Sequence, residues 1–314
     1  MNLITAFFRL VRWPNLLFIV ITQVLFEFCI YERIYPGAGL LQPEETGRFI
    51  ALVVASVFIA AAGYIINDYF DQNIDQVNKP DKVVVNRIIN RRWVIFWHMF
   101  LSLSGLYFTA YALPLEDFWH LVLANMLAII ALWFYSTTLK KKLLVGNVLI
   151  SLLSSWVIVI LFFSKQPLSL SMGLLRRVDY QQVRFFRLMI IYASFAFIIS
   201  LIREVVKDME DIEGDRKYGC TTMPIVLGVN ASKLFVAVWM IVLIAALVIL
   251  QFYVLGLGWW WSAIYCTVFI VMPLMLAMKL LFNAQKAADY HRISSLIKWI
   301  MFSGILSMAF FKIY

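Results

Sequence analysis

Charge is scarce in this chain. Only 14% of its 314 residues are Asp, Glu, Lys or Arg, while 63% are apolar. A soluble domain is about a quarter charged and about half apolar, so the shortage excludes one. The apolar excess, with a mean hydropathy of +0.85, excludes a disordered chain as well. Cysteine is scarce too. Cys29, Cys220 and Cys266 are the only three, and none forms a CxxC. That excludes a disulfide framework and a thiolate metal site. No RNA- or DNA-binding motif is visible. The net charge of +9 therefore points to cytoplasmic loops and anionic lipid, not to nucleic acid. No low-complexity linker or second domain interrupts the chain, so residues 1–314 are expected to form one intramembrane domain.

What the chain does have is nine apolar stretches, at roughly 15–31, 49–66, 93–113, 118–138, 143–163, 185–203, 234–255, 257–279 and 295–313. Each is near the ~20 residues that cross a ~30 Å hydrocarbon layer as a helix. Isolated strands would leave backbone groups unpaired in lipid, and the alternating pattern of a membrane barrel is absent. The expected fold class is all-α: a polytopic membrane protein with nine transmembrane helices in one bundle. The third and fourth stretches, and the seventh and eighth, are joined so tightly that each pair predicts a helical hairpin. Arg9 and Arg12 precede the first stretch without a small-residue cleavage site, so a retained first span is expected.

Placing the N-terminus in the cytoplasm puts 19 of the 27 Lys and Arg residues on the inside and 8 outside. This is the bias that cytoplasmic loops show. It predicts a multi-pass protein of the cell membrane with its C-terminus outside. Lys165, Arg176, Arg177, Arg184 and Arg187 run against the bias, and 168–184 reads as a surface amphipathic helix. Glu27 is the one acidic residue deep in a span, facing either a cavity or a polar neighbour.

Two segments carry the chemistry, both expected on the cytoplasmic side. Asn67 to Asp75 contains Asp68, Asp71 and Asp75, and Arg203 to Asp215 contains Asp208, Asp211 and Asp215. Both rows space their aspartates by three and then four. A helix turns about 100° per residue. On that wheel Asp208, Asp211 and Asp215 point one way with Glu204. Asn67, Asp71 and Asp75 share an arc of about 80°, with Asp68 just beyond it. Carboxylates so close repel one another. A divalent cation relieves the repulsion. Oxygen-only donors select a hard ion such as Mg²⁺, which also binds substrate phosphates, and the lack of histidine in either row argues against zinc. Two such rows facing one another suit the holding and release of a diphosphate. Lys79, Lys82 and Arg87 after the first row, and Lys207, Arg216 and Lys217 around the second, are expected to offset the remaining negative charge. Tyr64, Tyr69, Phe70 and Tyr135 offer π-faces near the site, although core or lipid-facing positions account for such rings as well.

On these residues the chain resembles the UbiA superfamily of intramembrane prenyltransferases. That family carries an NDxxDxxxD motif after the second of nine helices and a DxxDxxxD motif after the sixth. Here they stand as Asn67-Asp68…Asp71…Asp75 and Asp208…Asp211…Asp215. The resemblance covers the whole chain. It implies transfer of a prenyl group from an allylic diphosphate to a lipophilic acceptor, with Mg²⁺ as cofactor, catalysis at Asn67, Asp68, Asp71, Asp208 and Asp211, and metal binding by the six aspartates. It also implies substrate contacts at Asn15, in the Arg12-Trp13-Pro14-Asn15 entry, and at Tyr135, Lys140 and Asn147, although a buried Asn such as Asn147 bridges helices equally well. The family's Tyr and Lys are four apart, but here Leu139 follows Tyr135 by four and Lys140 by five. The stretch from Tyr135 to Asn147 and the run through Arg216 look most like the geranylgeranylglycerol-phosphate geranylgeranyltransferase branch. Its acceptor is the glycerol hydroxyl of a prenylglyceryl phosphate. An aromatic acceptor, as in quinone or tocopherol synthesis, is the alternative, since those enzymes share the Glu213-Gly214-Asp215-Arg216 ending. A transporter is the rival from another class, but the carboxylates lie at span ends and not mid-span. The sequence is silent on oligomeric state.

Overall fold

The computed structural model describes residues 3–37, 43–80, 83–166 and 180–314. Among them there is no strand, and nine helices are long and apolar enough to cross a membrane. The protein is therefore an all-α, multi-pass membrane protein. In chain order the helices are α1 (Leu3–Leu10), α2 (Trp13–Ile34), α3 (Pro43–Asn78), α4 (Arg91–Ala112), α5 (Leu115–Thr137), α6 (Val145–Phe163), α7 (Tyr180–Glu210), α8 (Ile212–Lys217), α9 (Met223–Val226), α10 (Val229–Gly256), α11 (Trp260–Asn283) and α12 (Ala287–Ile313). All nine apolar stretches coincide with spanning helices. The two expected hairpins turn at 113–114 and 257–259.

Two helices outrun the bilayer. The 36 residues of α3 reach about 54 Å at 1.5 Å per residue, and the 31 of α7 reach about 46 Å. The first acidic row and Asp208 of the second ride on this excess length. The functional segments are thus helical extensions of the spans, where the spans alone were expected to end at 66 and 203.

The chain divides into two compact units. One is Met1–Leu139 with Trp156–Ile190, and the other is Lys140–Ser155 with Ile191–Tyr314. Within the first unit, α3 packs closely on α4 and α5. A Cβ at Gly105 would lie 2.8 Å from Ile59 Cγ1, and one at Gly63 would lie 2.9 Å from Leu132 Cδ1. Small residues permit this approach between helices that gain little hydrophobic drive from lipid. Hydrogen bonds add to it. Asn125 donates to Thr109 Oγ1 at 3.0 Å and accepts from Trp156 Nε1 at 2.8 Å, which links α4, α5 and α6. Gln23 Nε2 donates to Ser56 Oγ and to the Val157 carbonyl. In the second unit the core is a continuous apolar cluster that includes Ile202, Val206, Met240, Leu274 and Ile297.

Gly105→Val should therefore destabilise the protein by about 1–3 kcal/mol through overpacking against Ile59. The check is a lower thermal midpoint in detergent. An unchanged midpoint would mean that α3 and α4 yield at this crossing.

The far end of α2 answers the question that Glu27 raised. Residues Phe26–Tyr31 form a π-turn, and the buried Glu27 carboxylate meets Lys165 Nζ at 2.8 Å. The same ammonium lies 3.7 Å from Glu45 and 4.5 Å from the Tyr31 ring centroid. Glu27 thus faces a polar neighbour, and Lys165 belongs to a packed ion pair. Arg184 and Arg187 are exposed on α7, while Arg176, Arg177 and most of the 168–184 segment lie outside the described residues.

Candidate active site

The first acidic row is built on the last turns of α3. Asn67 Nδ2 donates to Asp71 Oδ2 at 2.7 Å, one turn apart. Asp68 Oδ1 accepts from Arg12 Nη2 at 2.6 Å. Asp75 sits within the electrostatic field of Asp71 and Asp68, and Arg12 and Lys79 oppose them. The helix is unbroken through Asn78, so the arc expected from the wheel is present.

Arg12, part of the Arg12-Trp13-Pro14-Asn15 entry but with no partner expected for it, joins the first row. It joins α1 to α2 with φ 52 and ψ 51, a left-handed conformation, and Pro14 follows in the first turn of α2. Non-glycine residues held in this region cost energy and cluster at functional sites. The turn aims the guanidinium back at α3. It pairs with Asp68 and lies 5.2 Å from the Tyr64 ring centroid. The Asp68 charge pushes the Arg12 pKa up, so this cation is permanent. A basic residue just ahead of Pro14 and Asn15 was the available signal. Asn15 itself is half-buried at the start of α2, and its backbone N–H donates to the Arg12 carbonyl at 2.8 Å.

The segment after α3 folds back on it. Val84, Val85 and Ile89 are buried in an apolar cluster with Leu10 and Ile65. Asn86 Nδ2 donates to Gln72 Oε1 at 3.2 Å. Arg87 is exposed and donates to the Pro80 carbonyl at 3.1 Å, so it stabilises this turn. Lys82 lies outside the described residues. Arg91, absent from the expected set, lies 4.7 Å from the Tyr69 ring centroid. The Tyr64 and Tyr69 faces are thus occupied by the protein's own guanidinium groups. Phe70 meets Trp133 edge-on at 5.8 Å.

The second row departs from a continuous wheel. α7 ends at Glu210, and Asp211 leaves helical geometry at φ −100 and ψ 10 before α8 begins. Asp208 therefore belongs to α7 and Asp215 to α8. Asp208 still senses Asp215 and Glu204 as like charges and Lys207 as an opposite one. Lys207 Nζ donates to both oxygens of Glu204, at 2.9 and 3.1 Å, and Arg203 approaches the same carboxylate at 3.4 Å. The Lys207 ammonium is thus paired within α7. Arg216 and Lys217 are exposed in the last turn of α8. Asp208 Oδ2 accepts from Asn147 Nδ2 at 2.8 Å. Tyr135 is half-buried near the end of α5, and Lys140 is half-buried in the single 3-10 turn Leu139–Lys141.

The donor set suits a hard ion. Both rows offer carboxylate oxygens, the first with the Asn67 amide oxygen as well, and neither holds histidine or cysteine. Among the described residues, no three His, Cys, Asp or Glu side chains converge on one metal position. This fits magnesium held by one or two carboxylates with the rest of its shell from phosphates and water.

Comparison with known proteins identifies the fold and the family. A digeranylgeranylglyceryl phosphate synthase of Methanothermobacter thermautotrophicus is 34% identical over 269 residues, covering 82% of this chain and 84% of the relative. A solved structure described as giving structural and mechanistic insights into digeranylgeranylglyceryl phosphate synthase in membranes aligns with a TM-score of 0.62 at 19% identity, over 98% of this chain and 99% of that one. A UbiA homologue from Archaeoglobus fulgidus bound to GPP and Mg²⁺ aligns with a TM-score of 0.55 at 16% identity, over 97% and 99%. The UbiA prenyltransferase family model matches residues 36–303, a span that contains both acidic rows, and the chain belongs to that family.

Proposed function

We propose that this prenyltransferase transfers a geranylgeranyl group from its allylic diphosphate to the glycerol hydroxyl of a prenylglyceryl phosphate, a step of ether-lipid synthesis. The observation that carries the reading is the α3 row, in which Asn67 and Arg12 hold Asp71 and Asp68 in fixed orientations. The 34% identical relative named digeranylgeranylglyceryl phosphate synthase supports the acceptor. The Lys and Arg bias supports a cytoplasmic N-terminus with both rows on that side.

In this reading Asp68, Asp71 and Asp75 with Asn67, and Asp208, Asp211 and Asp215, bind the diphosphate headgroup together with Mg²⁺. When bound, the ion supplies positive charge against the diphosphate oxygens. Arg12 and Lys79 add fixed positive charge to the α3 row, and Lys140 binds phosphate beside the second. The allylic C–O bond breaks and its electron pair leaves with the diphosphate. The glycerol oxygen then forms the new C–O bond, and its proton passes to an aspartate or to the departing diphosphate. The long apolar tail lies among the helices, since it prefers hydrocarbon to water. Shielding from bulk water guards the allylic cation against hydrolysis and strengthens each charge interaction.

Mass spectrometry of products tests the acceptor. Purified protein given geranylgeranyl diphosphate with equal amounts of geranylgeranylglyceryl phosphate and an aromatic acid should prenylate only the phosphate lipid. An aromatic product alone would replace this reading with that of quinone-type synthesis.

A further inference from the structure

Asn147 was expected either to touch substrate or to bridge helices, and its amide reaches across to α7. It is 7% exposed in the first turn of α6, and its Nδ2 donates to Asp208 Oδ2 at 2.8 Å. The turn that delivers it is tied down independently. Leu144 takes a left-handed φ of 55 just before α6. Three residues earlier the Lys141 carbonyl accepts from both the backbone N–H and the Oγ1 of Thr221, at 2.7 and 2.9 Å. The segment following the second acidic row thus bolts the turn, and the turn in turn presents Asn147 to that row. Two helical turns further along, Ser154 and Ser200 pair at 3.1 Å. α6 and α7 therefore run antiparallel, and Asn147–Asp208 closes their ladder at the acidic end.

A carboxylate has two oxygens with about four lone-pair positions. Asn147 takes one oxygen of Asp208 and fixes the plane of the group. The other oxygen is left with a defined direction. We propose that Asn147 is a positioning residue, which orients Asp208 toward the magnesium–diphosphate headgroup without itself touching substrate. The inference rests on the prenyl-diphosphate reading above. Partners that orient metal-binding carboxylates commonly contribute 10- to 100-fold in metal affinity when removed.

The test uses the full-length protein in detergent. Thermal stabilisation is titrated with Mg²⁺ in the presence of inorganic pyrophosphate, and kcat and KM are measured for geranylgeranyl diphosphate at saturating Mg²⁺. Asn147→Leu keeps the volume and removes the donor. It should raise the half-saturating Mg²⁺ concentration by about 10- to 100-fold and lower kcat, with KM unchanged. Ser154→Ala removes another α6–α7 hydrogen bond and should titrate like wild type. A raised KM with an unchanged Mg²⁺ titration would overturn the proposal and return Asn147 to the substrate contacts. So would an equal Mg²⁺ shift in Ser154→Ala, which would reduce the effect to helix docking. If Asn147→Leu does not fold, Asn147→Ser is read by the same criteria. Wild-type protein that ignores Mg²⁺ and pyrophosphate would instead defeat the underlying site reading.

Discussion

Asp71→Ala and Asp208→Ala should each cut prenyl transfer by about 10²–10³-fold or more, the scale of losing one preorganised group from a charge-stabilising site. Both variants should still insert and fold. Asp71 takes its hydrogen bond from Asn67 on the same helix, while the packing of α3 is carried by residues such as Ile65, Ile66, Ala61 and Ala62. Asp208 is half-buried, as Asp71 is, but its loss leaves the Asn147 amide without its partner on another helix. Some stability loss is therefore expected at 208 and little at 71. Glu44→Ala is the matched control. That carboxylate stands at the opposite end of α3, 77% exposed and paired with Arg48, so its removal should leave turnover intact. Product formation and thermal midpoint, measured side by side, decide the matter. A folded Asp71→Ala protein with near wild-type turnover would end the reading of the α3 row as a headgroup site.

Stripping divalent ions should be equally severe. In excess chelator, with no metal added, wild-type turnover should fall to background and return with Mg²⁺. The reason lies in the donors. Both rows are all-oxygen, and among the described residues no three acidic, histidine or cysteine side chains already converge on an ion position. Metal affinity without diphosphate should therefore be weak. By linkage, whatever diphosphate does for the ion, the ion does for diphosphate. Mg²⁺ alone should shift the melting curve little, and Mg²⁺ with pyrophosphate substantially more. Full turnover in chelator would sink the metal assignment. Strong stabilisation by Mg²⁺ alone would mean that the carboxylates form a cage by themselves.

Much of the molecule was legible in its composition because lipid permits few solutions. A stretch such as 49–66 has no charge to expose and must bury its backbone, so it is helical wherever it crosses. The α3 row was legible for a similar reason. Asn67, Asp68, Asp71 and Asp75 extend a span already committed to helix, and the wheel carries over unchanged. The second row was only half legible, because a helix break at Asp211 is invisible to a rule that assumes continuity. The protein partners of the cations were not legible. Sequence proximity grouped Arg87 and Lys207 with the phosphates and gave no hint that one bonds the Pro80 carbonyl and the other Glu204. Arg12, 56 positions from Asp68, had no local cue linking it to that partner. Long, flexible side chains choose partners in space, and spacing along a chain says little about which.

By itself, then, the order of residues determined a nine-span helical membrane protein with two oxygen-donor rows at span ends, since hydrophobicity and helical period act locally. Only the tertiary structure decided which groups hold those rows in place. Arg12 on Asp68, Asn147 on Asp208 and Lys165 on Glu27 each join residues far apart in the chain, and such pairings exist only once the helices have packed.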